Sequence, residues 1–594
     1  MTDLSCFKFL MPAAPDKSAD QPKPLERAGS RRWVSGLAAA LLLCFLGLSA
    51  SSVLQKSATW DETHYLGGGN YILKTLRWDI WDARLHPVFW TVWHDLPLLA
   101  VSIPEQVWRE PYGVNRGQKI MALRPDDSLL NRCRFMSLPF ALLLGWLLFR
   151  WSRQLYGDLG GLFSLAFFCF CPNVLANAPL VTPDVTFGCF VFFGAHRLWR
   201  LAQRPCRRNL FLGGLALALM LLSKHTALLL LPIFFVTDVS YRLAAGQIEW
   251  HSPRGLWQGL RHWPALLGAG FLVLWAGYGF QVGAWTLSSG LVVPLPAPAY
   301  FSGAVYQFMQ SQGPHPSFLM GMYSPTGWWY YYGVVCLVKL PVPILLLAAG
   351  LALARRRPGM HWRLDEIYLV VPLILFLVYL SIFNSIQNGF RYLLAVYPLF
   401  LVLLGQYGAV LSRRLWGRLV GGGLMLWMVA AAVWTWPNYL AYFNEISGGA
   451  REGYHWLADS NLDWGQDLKA LKKFMDARGI KRIRLSYFGT ADPAHYGIDY
   501  EYLPSVDSGL RPTPDLPAGE SPSRFVALST YEYQGVNSGN KEIYKGFYQY
   551  VPNQIIGGSI LVYDLNALIP RTRPPLPLRI RTLGRSPDPV DAGP

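Results

Sequence analysis

Long, uninterrupted apolar stretches recur along the first three quarters of this 594-residue chain. One of them, WVSGLAAALLLCFLGLSASSVL, is long enough as a helix to cross a hydrocarbon core of roughly 30 Å. Because 52% of the residues are apolar and only 15% are charged, the composition is rare among soluble proteins. The sequence therefore predicts a polytopic α-helical membrane protein. About eleven transmembrane helices are predicted, at residues 34–54, 135–150, 160–178, 184–199, 209–223, 226–240, 263–281, 329–352, 366–384, 392–411 and 419–436.

The basic residues predict how the chain is oriented in the membrane. The formal net charge of +17 would suggest a nucleic-acid partner if these residues formed one face. They lie instead in short clusters between apolar runs, which the positive-inside rule places in the cytoplasm, so no nucleic-acid partner is expected. We predict a multi-pass protein of the plasma (inner) membrane with a cytoplasmic N-terminus. The clusters are Arg31 and Arg32; Arg150 and Arg153; Arg197, Arg200, Arg204, Arg207 and Arg208; Arg242, Arg254 and Arg261; Arg355, Arg356 and Arg357; and Arg413, Arg414 and Arg418.

This orientation divides the chain into four parts. Residues 1–33 are predicted to form a disordered cytoplasmic N-terminus, and residues 34–436 the membrane domain, with large outer loops near 55–134 and 282–328. In residues 437–568, helical periodicity in LKALKKFMDARGI and the strand-like runs KRIRLSYFG, FVALSTY and SILVYDL predict a small extracytoplasmic α/β domain. A Pro-rich basic tail occupies residues 569–594.

Two acids directly follow the first apolar segment, in ATWDETHYLGGG. Burial of Asp61 and Glu62 near the membrane would raise the pKa of one of them, which suits a general base. Two solvated acids at a helix end explain the pair equally well. Asp184, in LVTPDVTF, stands in a second predicted outer turn, where it is either a site residue or a helix-capping residue.

Two cations break the positive-inside pattern. Lys224, in LLSKHTALLLLP, and Arg391, in NGFRYLLAVYP, fall at predicted outer ends of helices. A cation at that depth needs an anionic partner, either a protein carboxylate or a phosphate. The alternative is that each side chain extends to lipid headgroups.

Histidines in the first predicted outer loop raise the question of a metal site. His64 and His86 share this loop with the two acids, but their spacing matches no strong zinc motif. We predict that they bind substrate or shape the site, and we predict no metal ligands. The run DSNLDWGQDLK is rich in acids but lacks the glycine and terminal glutamate of a calcium loop.

Several motifs together resemble a known family. The chain is similar to the bacterial phospholipid carrier-dependent glycosyltransferases (family 39-like), relatives of the protein O-mannosyltransferases and of the lipid A aminoarabinose transferase. The resemblance covers roughly residues 34 to 565, and its most specific stretches are DSNLDWGQDL and FNEISGG. It implies the membrane fold called GT-C. The motifs that carry it are WDETHYLGGGNYILKTLRWD, RLHPVFW, LVTPDVTF, LLSKHTALLLLP, VKLPVPILLL, RYLLAVYPLFLVLLG, YLAYFNEISGGAREGYHWLADSNLDWGQDLKALKKFM and YFGTADPAHYGI.

The resemblance implies a reaction and a set of roles. A hexosyl or pentosyl group, with mannosyl as the family type, would pass with inversion from a polyprenyl-phosphate donor to a glycan, lipid or protein acceptor outside the membrane. Asp61 matches the acid that activates the acceptor, with Glu62 beside it, and Asp184 matches an acid that organises the site. Lys224 and Arg391 match residues that face the carrier phosphate. The resemblance implies no certain cofactor and leaves open whether a divalent cation assists.

Two other functions fit a protein surrounded by membrane lipids. A lipid or sugar transporter (a flippase) usually carries its unusual charges near the middle of the membrane. Here those charges fall at the outer ends of the predicted helices, which favours an enzyme. The second alternative is a catalytically inactive envelope assembly protein.

Overall fold

The structure is a computed structural model that describes residues 32–78, 80, 84–286, 291–354, 363–510, 512–516 and 519–572. The predictions made for residues 1–31 and 573–594, at the two ends of the chain, therefore lie outside the described residues.

Helices dominate the first three quarters of the chain. Among the described residues, five helical segments are long and apolar enough to cross a membrane: Arg32–Leu54, Ser128–Cys169, Ala227–Ala244, Leu364–Ile382 and Leu415–Thr435. The chain is therefore an integral membrane protein. Every predicted span contains helical residues, while the count of eleven crossings stays a prediction. The α-helices are Arg32–Leu54, Trp60–Tyr65, Gly68–Thr75, Val88–Asp95, Glu105–Trp108, Gly113–Ala122, Ser128–Phe135, Leu138–Cys169, Pro172–Asn177, Pro183–Gln203, Arg207–Leu221, Ala227–Ala244, Pro253–Leu260, His262–Gly277, Pro298–Gln312, Tyr331–Lys339, Val342–Ala354, Ile367–Ile382, Phe390–Leu393, Tyr397–Leu404, Gln406–Leu411, Leu415–Thr435, Leu468–Ala477 and Thr530–Gln534.

Two of the predicted boundaries between helices differ from those in the structure. The loop expected between residues 150 and 160 is absent from the structure; the chain instead changes direction within the run Leu138–Cys169, at Gly157. Its φ of 81° is a conformation that glycine adopts readily. The predicted span 329–352 is broken near Pro341, which has no backbone N–H to continue a helical ladder, into Tyr331–Lys339 and Val342–Ala354.

The strands are short and most lie after residue 480. They are β1 (Val282–Thr286), β2 (Val292–Pro296), β3 (Ser317–Leu319), β4 (Met322–Ser324), β5 (Arg482–Ser486), β6 (Asp499–Tyr502), β7 (Phe525–Ser529), β8 (Tyr550–Val551), β9 (Gln554–Ile556), β10 (Ile560–Asp564) and β11 (Ile569–Pro570). Single 3-10 turns lie at Leu96–Ala100, Leu364–Glu366, Tyr439–Ala441, Glu445–Ser447, Gly453–His455, Asp459–Asn461, Pro493–Tyr496, Ser508–Leu510 and Lys545–Gln549.

A five-stranded mixed sheet forms the centre of the C-terminal region, in the order β6-β5-β7-β10-β9. Strand β5 runs parallel to β6 and β7, whereas β10 is antiparallel to β7 and β9. The helix predicted from LKALKKFMDARGI is present at Leu468–Ala477. The strand predicted from FVALSTY ends at Ser529, and Thr530–Gln534 is helical. The sheet is consistent with an α/β region, and its independence as a domain stays a prediction.

A buried polar cluster ties together helices on the predicted cytoplasmic side. The carboxylate of Asp238 accepts hydrogen bonds from Arg242 Nε at 3.0 Å, His262 Nε2 at 2.8 Å and Trp263 Nε1 at 2.9 Å. The hydroxyl of Tyr368 donates to the same carboxylate. Since four donors satisfy this one buried acid, the cluster fixes Ala227–Ala244 against His262–Gly277 and Ile367–Ile382.

Candidate functional site

The short helix Trp60–Tyr65 sends its two acids in different directions. Consecutive residues of an α-helix point roughly 100° apart, so Asp61 and Glu62 face different neighbours. The N-terminus of this helix is fixed because Glu62 Oε2 accepts the Thr59 backbone N–H at 2.9 Å. The helix thus pairs each acid with a different arginine, Asp61 with Arg391 and Glu62 with Arg134.

Four of the predicted site residues form a row of alternating charges, which we call the charge chain. Asp61 Oδ2 lies 2.7 Å from Arg391 Nη1, and the same Nη1 lies 3.9 Å from Asp184 Oδ2. Asp184 Oδ1 in turn accepts a hydrogen bond from Lys224 Nζ at 2.6 Å. The structure therefore brings Asp61, Arg391, Asp184 and Lys224 together from four separate parts of the chain.

The charge chain borders a cavity of about 310 Å³, which we call the site cavity. Asp184, Lys224 and Arg391 contribute charged groups to its wall. Much of the rest is apolar or aromatic, so the cavity suits a ligand with one anionic group and a large apolar part. The apolar and aromatic lining residues are Phe187, Leu228, Leu229, Ala304, Phe308, Phe376, Tyr379, Leu380, Ile386, Tyr392 and Ala395.

Three buried polar atoms around the cavity have no hydrogen-bond partner among the described residues. They are Arg391 Nε, Asp184 Oδ2 and His225 Nδ1. Buried polar groups are almost always hydrogen-bonded in folded proteins. The cavity wall can therefore make further hydrogen bonds to a ligand without breaking the charge chain.

Asp61 lies in a strongly desolvated position, with 8% of its surface exposed. Burial raises the pKa of this carboxyl above its ordinary value, and the negative charges of Asp459 and Asp184 act in the same direction. The Arg391 guanidinium opposes this rise in pKa. A carboxyl with a raised pKa in contact with a cavity residue has the character expected of a general base.

Glu62 has a different environment. Its two oxygens accept hydrogen bonds from Arg134 Nε at 2.8 Å and Nη2 at 2.7 Å, and the Val181 backbone N–H donates to it at 3.1 Å. Both side chains of this pair are fully buried. The Arg134 guanidinium and the backbone donors hold the pKa of Glu62 below its ordinary value, although desolvation acts against them. Its catalytic role stays a prediction, and its contacts favour a structural one.

The two predicted site histidines pack against Tyr65 in an aromatic cluster. His86 Nε2 is 2.8 Å from the Tyr65 hydroxyl, and the His64 ring stacks on Trp60. Burial and nearby cations lower the pKa of His86 well below its ordinary value, so this ring is neutral. Within the described ranges, no group of three or more His, Cys, Asp or Glu side chains is arranged to hold a metal ion.

The segment DSNLDWGQD supports the charge chain, a role that the sequence did not reveal. Trp464 is buried and its ring centroid lies 4.3 Å from the guanidinium carbon of Arg391. Its backbone oxygen accepts the Trp60 N–H at 2.8 Å, next to Asp61. Asn461 Oδ1 accepts the Phe390 N–H at 3.1 Å, next to Arg391. One segment of the C-terminal region therefore fixes both ends of the Asp61–Arg391 ion pair.

One family model matches part of this chain. Residues 122–252 match the family model described as dolichyl-phosphate-mannose-protein mannosyltransferase. The match confirms the resemblance seen in the sequence over this part of the chain, which contains Asp184 and Lys224. Asp61 and Arg391 lie outside it. No curated protein matches the sequence.

Two solved structures of ArnT from Cupriavidus metallidurans align with most of the chain. The structure bound to undecaprenyl phosphate has a TM-score of 0.46 and 14% identity, and covers 90% of this chain and 98% of that one. The apo structure has a TM-score of 0.43 and 12% identity, and covers 89% and 97%.

Proposed function

We propose that this protein is a GT-C type glycosyltransferase that moves a sugar, with inversion, from a polyprenyl-phosphate-linked donor to an acceptor on the extracytoplasmic face of the membrane. The observation that carries the proposal is the charge chain at the wall of a mostly apolar cavity. The family model matched by residues 122–252 supports a transferase that uses a lipid-phosphate sugar. Its description also makes a mannosyl donor the first one to test.

The donor's phosphate would bind to Lys224 and Arg391. Both cations face the site cavity, and Arg391 Nε has no hydrogen-bond partner among the described residues. Hydrogen bonds between a cation and a phosphate oxygen are roughly twice as strong as neutral ones. The polyprenyl chain would lie along the apolar wall, where Phe187, Leu229 and Phe376 contribute surface.

Asp61 would act as the general base. As the acceptor hydroxyl or amine attacks the anomeric carbon, its proton passes to the Asp61 carboxylate. The bond between the anomeric carbon and the phosphate oxygen breaks, and its electron pair leaves with the polyprenyl phosphate. Lys224 and Arg391 would stabilise the charge on that leaving group, an electrostatic effect that is often the largest in catalysis. Attack on the face opposite the phosphate inverts the anomeric centre.

Asp184 would hold the two cations in place. It contacts Lys224 directly and lies close to Arg391, so removal of its charge would leave both cations less well positioned.

We also propose that the N-terminus is cytoplasmic and that residues 437–568 form an extracytoplasmic domain, since this orientation places every basic cluster inside. The charge chain then lies at the outer face.

The test is sugar transfer in proteoliposomes of the full-length protein. Radiolabelled polyprenyl-phosphate-mannose is offered first, then hexosyl and pentosyl donors on the same carrier, each with and without a chelator. The parent is compared with Lys224→Met, which removes a charge from the site cavity. We expect this variant to need a much higher donor concentration, because it loses a charged phosphate contact.

Lys119→Met is the matched control. Lys119 is half-exposed, pairs with Glu110 and does not line the cavity, so its removal should leave transfer at the parental rate. Equal transfer by the two variants would remove Lys224 from the phosphate site. If the parent transfers no sugar from any donor, the glycosyltransferase proposal is overturned and the transporter hypothesis returns.

A further inference from the structure

A second cavity, of about 210 Å³, is lined by residues of the helices Leu138–Cys169, Pro183–Gln203 and Arg207–Leu221. Among the described residues, the charged side chains that line it are those of Arg150, Arg197, Arg200 and Arg208. Trp146, Gln154, His196 and Asn209 also line it. We call it the arginine cavity, and no part of the proposed reaction uses it.

The arginine cavity is a separate site from the charge chain. Asp184 and Arg200 lie on the same helix, Pro183–Gln203, sixteen positions apart. At 1.5 Å per residue the two sites are therefore separated by about 24 Å along the helix axis, which is close to the thickness of the hydrocarbon core. In the predicted orientation, one cavity lies at the outer headgroup plane and the other at the cytoplasmic one.

Among the described residues, the four guanidinium groups have no carboxylate partner. None of them forms an ion pair with any residue that the structure describes, whereas the neighbouring Arg153 pairs with Asp158 at 2.5 Å. Arg197 Nε is buried and has no hydrogen-bond partner within those same ranges. Four cations around one cavity repel each other, and an anion bound between them would relieve that repulsion.

Uncharged groups complete the wall of the cavity. His196 is 5% exposed and its Nδ1 accepts from Arg197 Nη2 at 3.3 Å, so its Nε2 carries the proton and donates to Gln154 Oε1 at 3.3 Å. The His196 ring is therefore neutral and holds Arg197 in position. Arg150 lies over the half-exposed ring of Trp146 at 4.8 Å. A tryptophan beside arginines at a helix end is typical of the headgroup layer of a membrane.

From this arrangement we infer that the arginine cavity binds a phosphate group, and that its source is the headgroup of an anionic phospholipid in the cytoplasmic leaflet. Arginine forks match the geometry of phosphate oxygens, and basic pockets between helices on the cytoplasmic side suit anionic headgroups. An ordinary positive-inside cluster would attract anionic lipids without selecting a binding position. The arginine cavity differs because four cations from three helices line the same volume.

The experiment measures lipid bound to the purified full-length protein by native mass spectrometry. Detergent micelles carry either phosphatidylglycerol or phosphatidylcholine, and a parallel titration uses inorganic phosphate alone. We expect the parent to retain phosphatidylglycerol preferentially. The double variant Arg197→Gln/Arg200→Gln should bind it about 30-fold more weakly, as expected for the loss of two phosphate-facing charges.

The matched control is Arg413→Gln/Arg414→Gln. It removes the same charge from a cluster predicted on the same side of the membrane, but these arginines are exposed and do not line the cavity. Its affinity should stay within about twofold of the parent. If the first double variant fails to fold, the exposed Arg208→Gln alone should weaken binding by about fivefold.

The outcomes are distinct. Loss of phosphatidylglycerol in the cavity variants alone supports the lipid as the source. Binding of inorganic phosphate alone, lost in the same variants, keeps the phosphate site and assigns it to a soluble ligand. Equal binding by the cavity and control variants, or no binding of either probe by the parent, would overturn the inference.

Discussion

Asp61 and Glu62 are neighbours in sequence, both are buried and each pairs with an arginine, yet they lie in regions of different character. Asp61 pairs with Arg391, a cation that lines the site cavity and also approaches Asp184. Glu62 pairs with Arg134 through two hydrogen bonds, and backbone amides complete its environment. The pKa of Asp61 is raised by burial, whereas that of Glu62 is held low by its donors.

The two arginines differ in the hydrogen bonds that they make beyond these ion pairs. Arg134 also donates hydrogen bonds to protein oxygens, those of Val53, Lys56, Ser57 and Asn131. Arg391 keeps a buried Nε without a hydrogen-bond partner in the described part of the chain. A fully satisfied buried pair fixes a structure, while a pair with an unfilled donor beside a cavity can bind a ligand.

Asp61→Asn should have the largest effect on activity. The amide keeps the shape of the side chain but cannot accept the acceptor's proton, so transfer should fall by about 100-fold to 10,000-fold. Sugar transfer in proteoliposomes measures this loss, and thermal unfolding of the same preparation shows whether the variant is folded.

Asp126→Asn serves as its control, because Asp126 is an exposed acid of the same predicted outer segment. That variant should transfer sugar at the parental rate. Undiminished transfer by a folded Asp61→Asn protein would contradict the proposed base.

Glu62→Gln should act mainly on stability. It leaves the Arg134 charge buried without its counterion, which typically costs about 3–5 kcal/mol of unfolding free energy. Denaturant unfolding in detergent measures the change. Transfer per folded molecule should fall far less than for Asp61→Asn.

The control for this variant is Glu105→Gln, which breaks an exposed ion pair with Arg109. Surface pairs contribute little, so its unfolding free energy should stay close to that of the parent. A stable Glu62→Gln protein with little transfer would instead support the catalytic role that the sequence predicted for Glu62.

The sequence singled out each of the four residues of the charge chain because each signal was local. Asp61, Asp184, Lys224 and Arg391 were each conspicuous as a charge at the end of an apolar run. Their pairing could not be predicted from the sequence, because Asp61 and Arg391 are 330 residues apart and only the folded chain shows that they touch. Their assigned roles remain predictions.

Other features had no local signal. Arg134 is an ordinary arginine beside a predicted span, and nothing in its neighbourhood indicates that it satisfies Glu62. The run DSNLDWGQD was conspicuous, but its acids drew attention to metal binding, whereas its Trp464 and Asn461 make the long-range contacts. The change of direction at Gly157 depends on the backbone conformation of one residue, which hydrophobic patterns do not encode.

Trp464→Leu tests how the C-terminal region supports the Asp61–Arg391 ion pair. Loss of the ring under the Arg391 guanidinium removes a cation–π contact worth about 0.5–2 kcal/mol, so we expect donor affinity to weaken by about 2-fold to 30-fold. Trp464→Phe keeps an aromatic face and should recover part of that loss. Equal KM values for the two variants would show that the ring acts only through packing.

The sharpest contrast between the two acids is in their response to pH. Because the pKa of Asp61 is raised, its carboxylate should become protonated, and transfer should fall, at a pH above the ordinary aspartate value of about 4. The Glu62 pKa is depressed, so the stability that this pair contributes is present above the unfolded pKa of about 4.3 and is lost only as the pH falls through its lower folded value. Between these two transitions the protein should be folded and inactive, and activity should return on neutralisation. Transfer rates and thermal unfolding measured on the same samples from pH 7 down to about pH 4 check this order; loss of structure before loss of transfer would contradict it.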